Sequence, residues 1–258
     1  MSEEKEAIQR WCEGKSRKRG ANVFIAAILA GAYIGFAAQL FTLVTTSSSL
    51  SMGITQLLGG LAFSVGLIMV ILGKAELFTG NCLLTYRCFD SPHLWKKTLG
   101  NWLVVYVGNF SGALLLLLLY YLSGLFSMGN FALAGRAYAI LEAKVNLTFS
   151  QAFFRGILCN WLVCLAVLLS IFSENNLTRL LVIPVPITTF VALGYEHSIA
   201  NMYFLPAGMI AQKFVEGAKN ISWGAIFIKN LIPVTMGNII GGCFLVGFLY
   251  WIITSEGE

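Results

Sequence analysis

The stretch "GYEHSIANM" (Gly194–Met202) sets Glu196 beside His197 inside a long apolar run. Ionisable side chains within a membrane-spanning segment are expensive, and they mark ion or proton pathways. An imidazole exchanges a proton near physiological pH, its unperturbed pKa being about 6.5. It therefore suits a weak acid and its anion, although a lone buried histidine also serves as a helix-to-helix hydrogen-bonding residue. A second acidic interruption, "GKAELFTGN" (Gly73–Asn81), carries Glu76 and Thr79. Unpaired buried carboxylates are costly, so Glu76 and Glu196 read as acceptors for the backbone amides of broken helices. Two lysines lie near these elements. Lys74 ends one apolar run, where it either snorkels to the surface or draws anions to a pore mouth. Lys144, in "LEAKVNLTF", is either a solvated loop residue or a substrate-facing one. His93 lies in the polar loop "DSPHLWKK".

Catalytic signatures are lacking: the chain has no G-x-S-x-G, no H-E-x-x-H and no phosphate-binding glycine loop. Its six cysteines form no C-x-x-C pair and have no histidine at metal-ligand spacing. They are expected to be reduced, structural thiols. Neither an enzyme nor a cofactor or metal site is expected.

The elements that hold these residues are membrane spans. Of 258 residues, 57% are hydrophobic and 11% charged, and mean hydropathy is +0.77. A soluble domain carries about a quarter charged residues. Six apolar runs are long enough to cross a bilayer: Asn22–Val44, Gly53–Gly73, Trp102–Phe126, Phe153–Phe172, Leu180–Gln212 and Ala225–Ile253. Residues 1–20 read as a basic amphipathic helix lying on anionic headgroups, and 255–258 as a C-terminal tail. Lys15, Arg17, Lys18 and Arg19 dominate the Lys/Arg bias, which places both termini in the cytoplasm. The net charge of +5 implies membrane lipid as a partner and not nucleic acid, because no aromatic-basic platform accompanies it.

The two halves repeat. "NWLVVYVGNFSGA" (Asn101–Ala113) aligns without gaps to "NLIPVTMGNIIGG" (Asn230–Gly242). The two interruptions precede these copies, with Gly73 set against Gly194. Residues 21–126 and 153–254 are thus two three-span repeats joined by a loop, 127–152. Three spans per repeat force opposite membrane orientations, the signature of an inverted repeat. Interrupted spans in equivalent places then meet at midplane, with half-helix N-termini attracting an anion.

Four segments in order, "AFSVGLIMVILGKAELFTGN", "GNWLVVYVGNFSGA", "RGILCNWLVCLA" and "GYEHSIANMYFLP", resemble the formate/nitrite transporter family. The resemblance implies an all-α, aquaporin-like protomer with interrupted second and fifth helices, assembled as a homopentamer in the inner (cytoplasmic) membrane. It further implies a channel for small monovalent weak-acid anions (formate, hydrosulfide or nitrite), with protons as potential co-substrates. By motif, Phe63 and Leu67 would form the extracytoplasmic constriction, and Leu77 and Phe190 the cytoplasmic one. Thr79 and His197 would face the chamber between them. Asn201 and Glu196 would orient the His197 loop, while Lys144 and Asn160 would flank the outer polar region. Lys74 has no counterpart in the family pattern. The alternative is an aquaporin-like pore for small neutral solutes.

Overall fold

The computed structural model describes residues 3–18 and 20–255, and these form helices and connecting turns. Arg19 of the basic cluster and residues 256–258 of the expected tail lie outside the described residues.

Helix α1 (Glu3–Ser16) opens with Glu3, Glu4 and Glu6 and closes with Lys15, charges that complement the helix dipole at each end. Its apolar face does not lie on headgroups as expected. Ile8 and Cys12, four residues apart, are wholly buried, and the Cys12 thiol points at the Leu83 carbonyl. Burial pushes that thiol up to about 12, so it stays protonated and packs as a small apolar side chain. The bundle supplies the apolar partner that a bilayer surface was expected to supply.

Among the described residues, five helices are long and apolar enough to cross a membrane: α2 (Gly20–Val44), α3 (Met52–Leu72), the run Pro92–Leu122, Phe149–Phe172, and the last span, Trp223–Ser255. After α3 the chain breaks and restarts as α4 (Phe78–Asn81), which leads through a tight turn to α5 (Thr85–Asp90). The long helix α6 is Trp95–Leu122. The expected loop 127–152 is largely the helix α7 (Ala132–Val145). Its buried Leu133, Ala137 and Leu141 recur at a four-residue spacing, which gives it an apolar stripe to bury. The second half continues with α8 (Phe149–Phe172), α9 (Asn176–Val182), α10 (Pro184–Ala192) and α11 (Ser198–Ala211). The fifth crossing is α10 plus α11, with the interruption between them.

The glycines of the repeated motif set the helix spacing inside the protomer. A Cβ at Gly112 would fall 1.9 Å from the Ile28 carbonyl oxygen, and one at Gly241 2.2 Å from that of Ile157. Helices α2 and α6, and in the other half α8 and the last span, therefore touch backbone to backbone. Small residues make such an approach possible in a membrane, where packing replaces the hydrophobic drive.

Candidate functional site

The two interruptions are built alike, bond for bond. In the first, the Asn109 side chain donates to the carbonyls of Ala27 and Glu76 at 2.8 Å each. It also accepts the Phe78 amide at 3.0 Å. In the second, Asn238 donates to Gly156 and Glu196 at 2.8 and 2.9 Å, and accepts the Ser198 amide at 2.8 Å. Each asparagine thus satisfies backbone groups that a broken helix leaves bare. Glu76 accepts from Asn81 at 2.9 Å, which in turn bonds Asn101. Glu196 accepts from Asn201 at 2.7 Å, which bonds Asn230.

These bonds correct the expected register of the repeat by one residue. Glu76 corresponds to Glu196 and Asn81 to Asn201, so Lys74 stands opposite Gly194. Both have left-handed backbone, with φ of +52° and +70°. Glycine takes that conformation freely; a lysine does not. In the same register Leu77 corresponds to His197, each the residue that caps its half-helix.

Each carboxylate carries a cationic partner from a helix outside the spans. Lys15 of α1 and Lys18 in the turn just after it both pair with Glu76, Lys15 at 2.9 Å, and Lys144 of α7 pairs with Glu196 at 2.8 Å. Helix α1 is therefore the counterpart of α7. Lys15 and Lys18 were missing from the sequence-based site. The carboxylates, expected to accept backbone amides, accept from lysine and asparagine side chains instead.

At the centre, the His197 Nδ1 accepts the Ala200 amide at 3.0 Å, and Nε2 lies 2.9 Å from the Thr79 hydroxyl. A ring nitrogen that accepts an N–H carries no proton, so the neutral imidazole holds its proton on Nε2. The Nε2–H donates to Thr79, whose own hydroxyl proton is left free to donate. Behind Thr79, its carbonyl accepts from Asn160 Nδ2 at 3.2 Å and the Cys164 thiol at 3.3 Å. Asn160 is fully buried. It thus supports Thr79 at mid-depth and does not flank an outer polar region as expected.

Two vestibules approach this pair from opposite faces. On the α7 face a cavity of about 270 Å³ is lined by Phe63, Phe190, Arg136, Lys144, Arg155 and His197, among others. The Phe63 and Phe190 rings meet edge to face at 5.9 Å, and Phe190 stacks on His197 at 5.8 Å. On the α1 face a cavity of about 390 Å³ is lined by Leu67, Leu77, Val167, Lys15, Lys18 and Lys74, among others. These apolar side chains therefore group as Phe63 with Phe190 on the α7 face and Leu67 with Leu77 on the α1 face. The expected partners are exchanged, because α10 starts on the α1 side, near Arg179, and ends with its break on the α7 side. A further cavity of about 200 Å³, lined by Arg87 and Lys97, shares Lys15 and Lys18 with the α1-face cavity but includes neither Leu67 nor Leu77.

A profile of the formate/nitrite transporter family matches residues 2–252. The formate channel FocA of Escherichia coli K12 is 36% identical over 252 residues, covering 93% of this chain and 88% of its own length. A probable formate transporter of Methanothermobacter thermautotrophicus is 37% identical, covering 93% of this chain and 91% of its own length. Among solved structures, a pentameric formate channel with formate bound superposes with a TM-score of 0.82 at 35% identity. That match covers 92% of this chain and 98% of the other. An FNT family ion channel superposes with a TM-score of 0.84 at 27% identity, covering 96% and 99%.

Proposed function

This chain belongs to the formate/nitrite transporter family, and we propose that it is a homopentameric channel whose protomers each pass small monovalent weak-acid anions, formate foremost. The observation that carries this reading is the Thr79–His197 pair, a buried hydroxyl and imidazole between two vestibules with apolar necks. The names of its relatives, formate channels and a probable formate transporter, support formate over hydrosulfide or nitrite. The bound formate and pentameric state of a solved relative support the substrate class and the assembly. The basic N-terminal segment supports a cytoplasmic α1 face, with both termini on that side of the inner membrane.

The mechanism follows from the bonds. Lys15 and Lys18 leave one positive charge in excess beside Glu76 on the α1 face, where Lys74 adds another; on the α7 face Lys144 neutralises Glu196, and Arg136 and Arg155 keep that mouth positive. An anion entering the neck sheds water between apolar side chains, where a bare charge is penalised. At the centre the free Thr79 proton donates to it. That hydroxyl is polarised by the Nε2–H behind it, and by the α4 and α11 N-termini aimed inward. Protonating His197 requires its Nδ1 to release the Ala200 amide. Nδ1 then takes a proton from vestibule water, the Nε2–H passes to the Thr79 oxygen, and the Thr79 hydroxyl proton passes to the anion, which leaves as the neutral acid.

Flux into proteoliposomes of formate, nitrite, lactate, hydrosulfide and chloride, at two pH values, tests the reading. Formate is expected to enter faster than chloride, more so at the lower pH. Water or glycerol permeation without any anion flux would instead establish the neutral-solute alternative. The necks make a separate prediction. Leu67→Ala with Leu77→Ala, or Phe63→Ala with Phe190→Ala, is expected to raise chloride flux relative to formate by about tenfold, equivalent to ~1.4 kcal/mol off its barrier. An unchanged chloride-to-formate ratio in both double variants would remove these four residues from the conduction path.

A further inference from the structure

The cations of the α7-face vestibule are not equivalent. Lys144 is engaged by Glu196 at 2.8 Å, and its ammonium sits 5.6 Å from the Phe204 ring. Two arginines line the same cavity. Arg136 donates its Nε–H to the Thr45 hydroxyl at 2.9 Å, and its guanidinium lies 6.0 Å from the Phe41 ring. That contact fixes the plane of the fork and leaves both terminal amino groups unengaged. The Arg155 side chain has no hydrogen-bond or ion-pair partner among the described residues; only its backbone carbonyl is used, by the Glu196 amide.

The α1-face vestibule offers a different chemistry. Lys15 and Lys18 are engaged by Glu76. All three nitrogen positions of Arg179 are engaged, by Ser170, Asn176 and Ser173, and Arg10 pairs with Glu6. Among the described residues, the cation there without such a partner is the Lys74 ammonium. One mouth thus offers guanidinium forks, and the other a point charge.

We propose that Arg136 and Arg155 make the α7-face vestibule a recognition site for anions with two oxygens on one centre, such as a carboxylate or nitrite, selecting them over hydrosulfide and halide before they reach the neck. The physical ground is the match between a planar guanidinium and a two-oxygen anion, which pair through two parallel N–H···O bonds. A single-centre anion meets only the charge. Lysine in the same places keeps the charge and loses the fork.

This inference rests on the anion-channel reading, and the test separates the two. Concentration dependence of formate, nitrite, hydrosulfide and chloride flux is measured for wild type, Arg155→Lys, and Arg136→Lys with Arg155→Lys. In the double variant the half-saturating formate and nitrite concentrations are expected to rise about tenfold, with hydrosulfide and chloride within about twofold of wild type. Arg155→Lys breaks no side-chain bond of the fold, so it carries the test alone if the double variant fails to assemble; about a threefold rise is then expected for the two-oxygen anions. An equal change in all four anions would mean that only charge is read, and no change in any would remove the arginines from recognition. Either result overturns the proposal. A wild type that carries no anion at all would overturn the channel reading instead.

Discussion

Formate flux through a His197→Asn channel is expected to fall about tenfold and to lose its dependence on pH, while the pentamer is recovered as from wild type. Fold and function separate here because the two ring nitrogens do different work. Nδ1 caps α11 by accepting the Ala200 amide, and asparagine is among the best capping residues. The Asn oxygen can take that role. Nothing in asparagine replaces the far nitrogen, 2.9 Å from Thr79. The Thr79 hydroxyl then loses the donor that polarises it toward the anion. A hydrogen bond involving a charged partner contributes about 1.5–3 kcal/mol, and the lower end of that range is about tenfold in rate. Proton exchange is lost as well, since an amide does not titrate in this range. The measurement is formate flux against pH for both proteins, with chloride as an anion that takes up no proton. Superimposable pH profiles would reduce His197 to a structural cap and leave the family assignment standing.

The places where sequence reasoning held and failed have physical causes. The interruptions were legible because an acid, a histidine and an asparagine within an apolar run have no packing use. Membership of an all-α, aquaporin-like family was legible for the same reason, through motifs that surround those interruptions. The register of the repeat was misjudged because glycines were matched to glycines. The left-handed backbone position is filled by Gly194 in one half and by Lys74 in the other, so residue identity pointed one place off. Placing Phe190 in a neck was possible from motif, but which neck depends on the side from which α10 meets its break. Lys15 and Lys18 escaped notice because their partner Glu76 lies 61 and 58 residues away. A basic cluster near an N-terminus reads as a surface feature until something buried is found to need it.

The same long-range dependence makes Asn238→Leu the substitution with the largest expected loss of stability. Leucine matches asparagine in side-chain heavy-atom count and in branching at Cγ but is bulkier and carries no polar group, so lost hydrogen bonds and overpacking both act against the fold. Two buried backbone groups at the break lose their partner at once, the Ser198 amide and the Glu196 carbonyl, and the Gly156 carbonyl inside α8 loses its second donor. Asn160, which donates to the Asn238 carbonyl at 2.7 Å, keeps that bond because the backbone is unchanged. Leaving a buried donor or acceptor unsatisfied costs about 1–3 kcal/mol each. The sum is ~3–5 kcal/mol if the loop relaxes in part. For a chain of this size each kcal/mol lowers the melting point by about 2–4 °C, so a drop on the order of 10 °C in detergent is expected. Because Ser198 begins α11 and Glu196 precedes His197, the imidazole loses its fixed place and formate flux falls with the melting point. Asn109→Leu is expected to do the same through Phe78 and Glu76, displacing Thr79 instead of His197. A melting point within two degrees of wild type for either variant, read by intrinsic tryptophan fluorescence of the purified protein, would show that the interruptions do not depend on these asparagines. The paired design of the two halves would then need another physical basis.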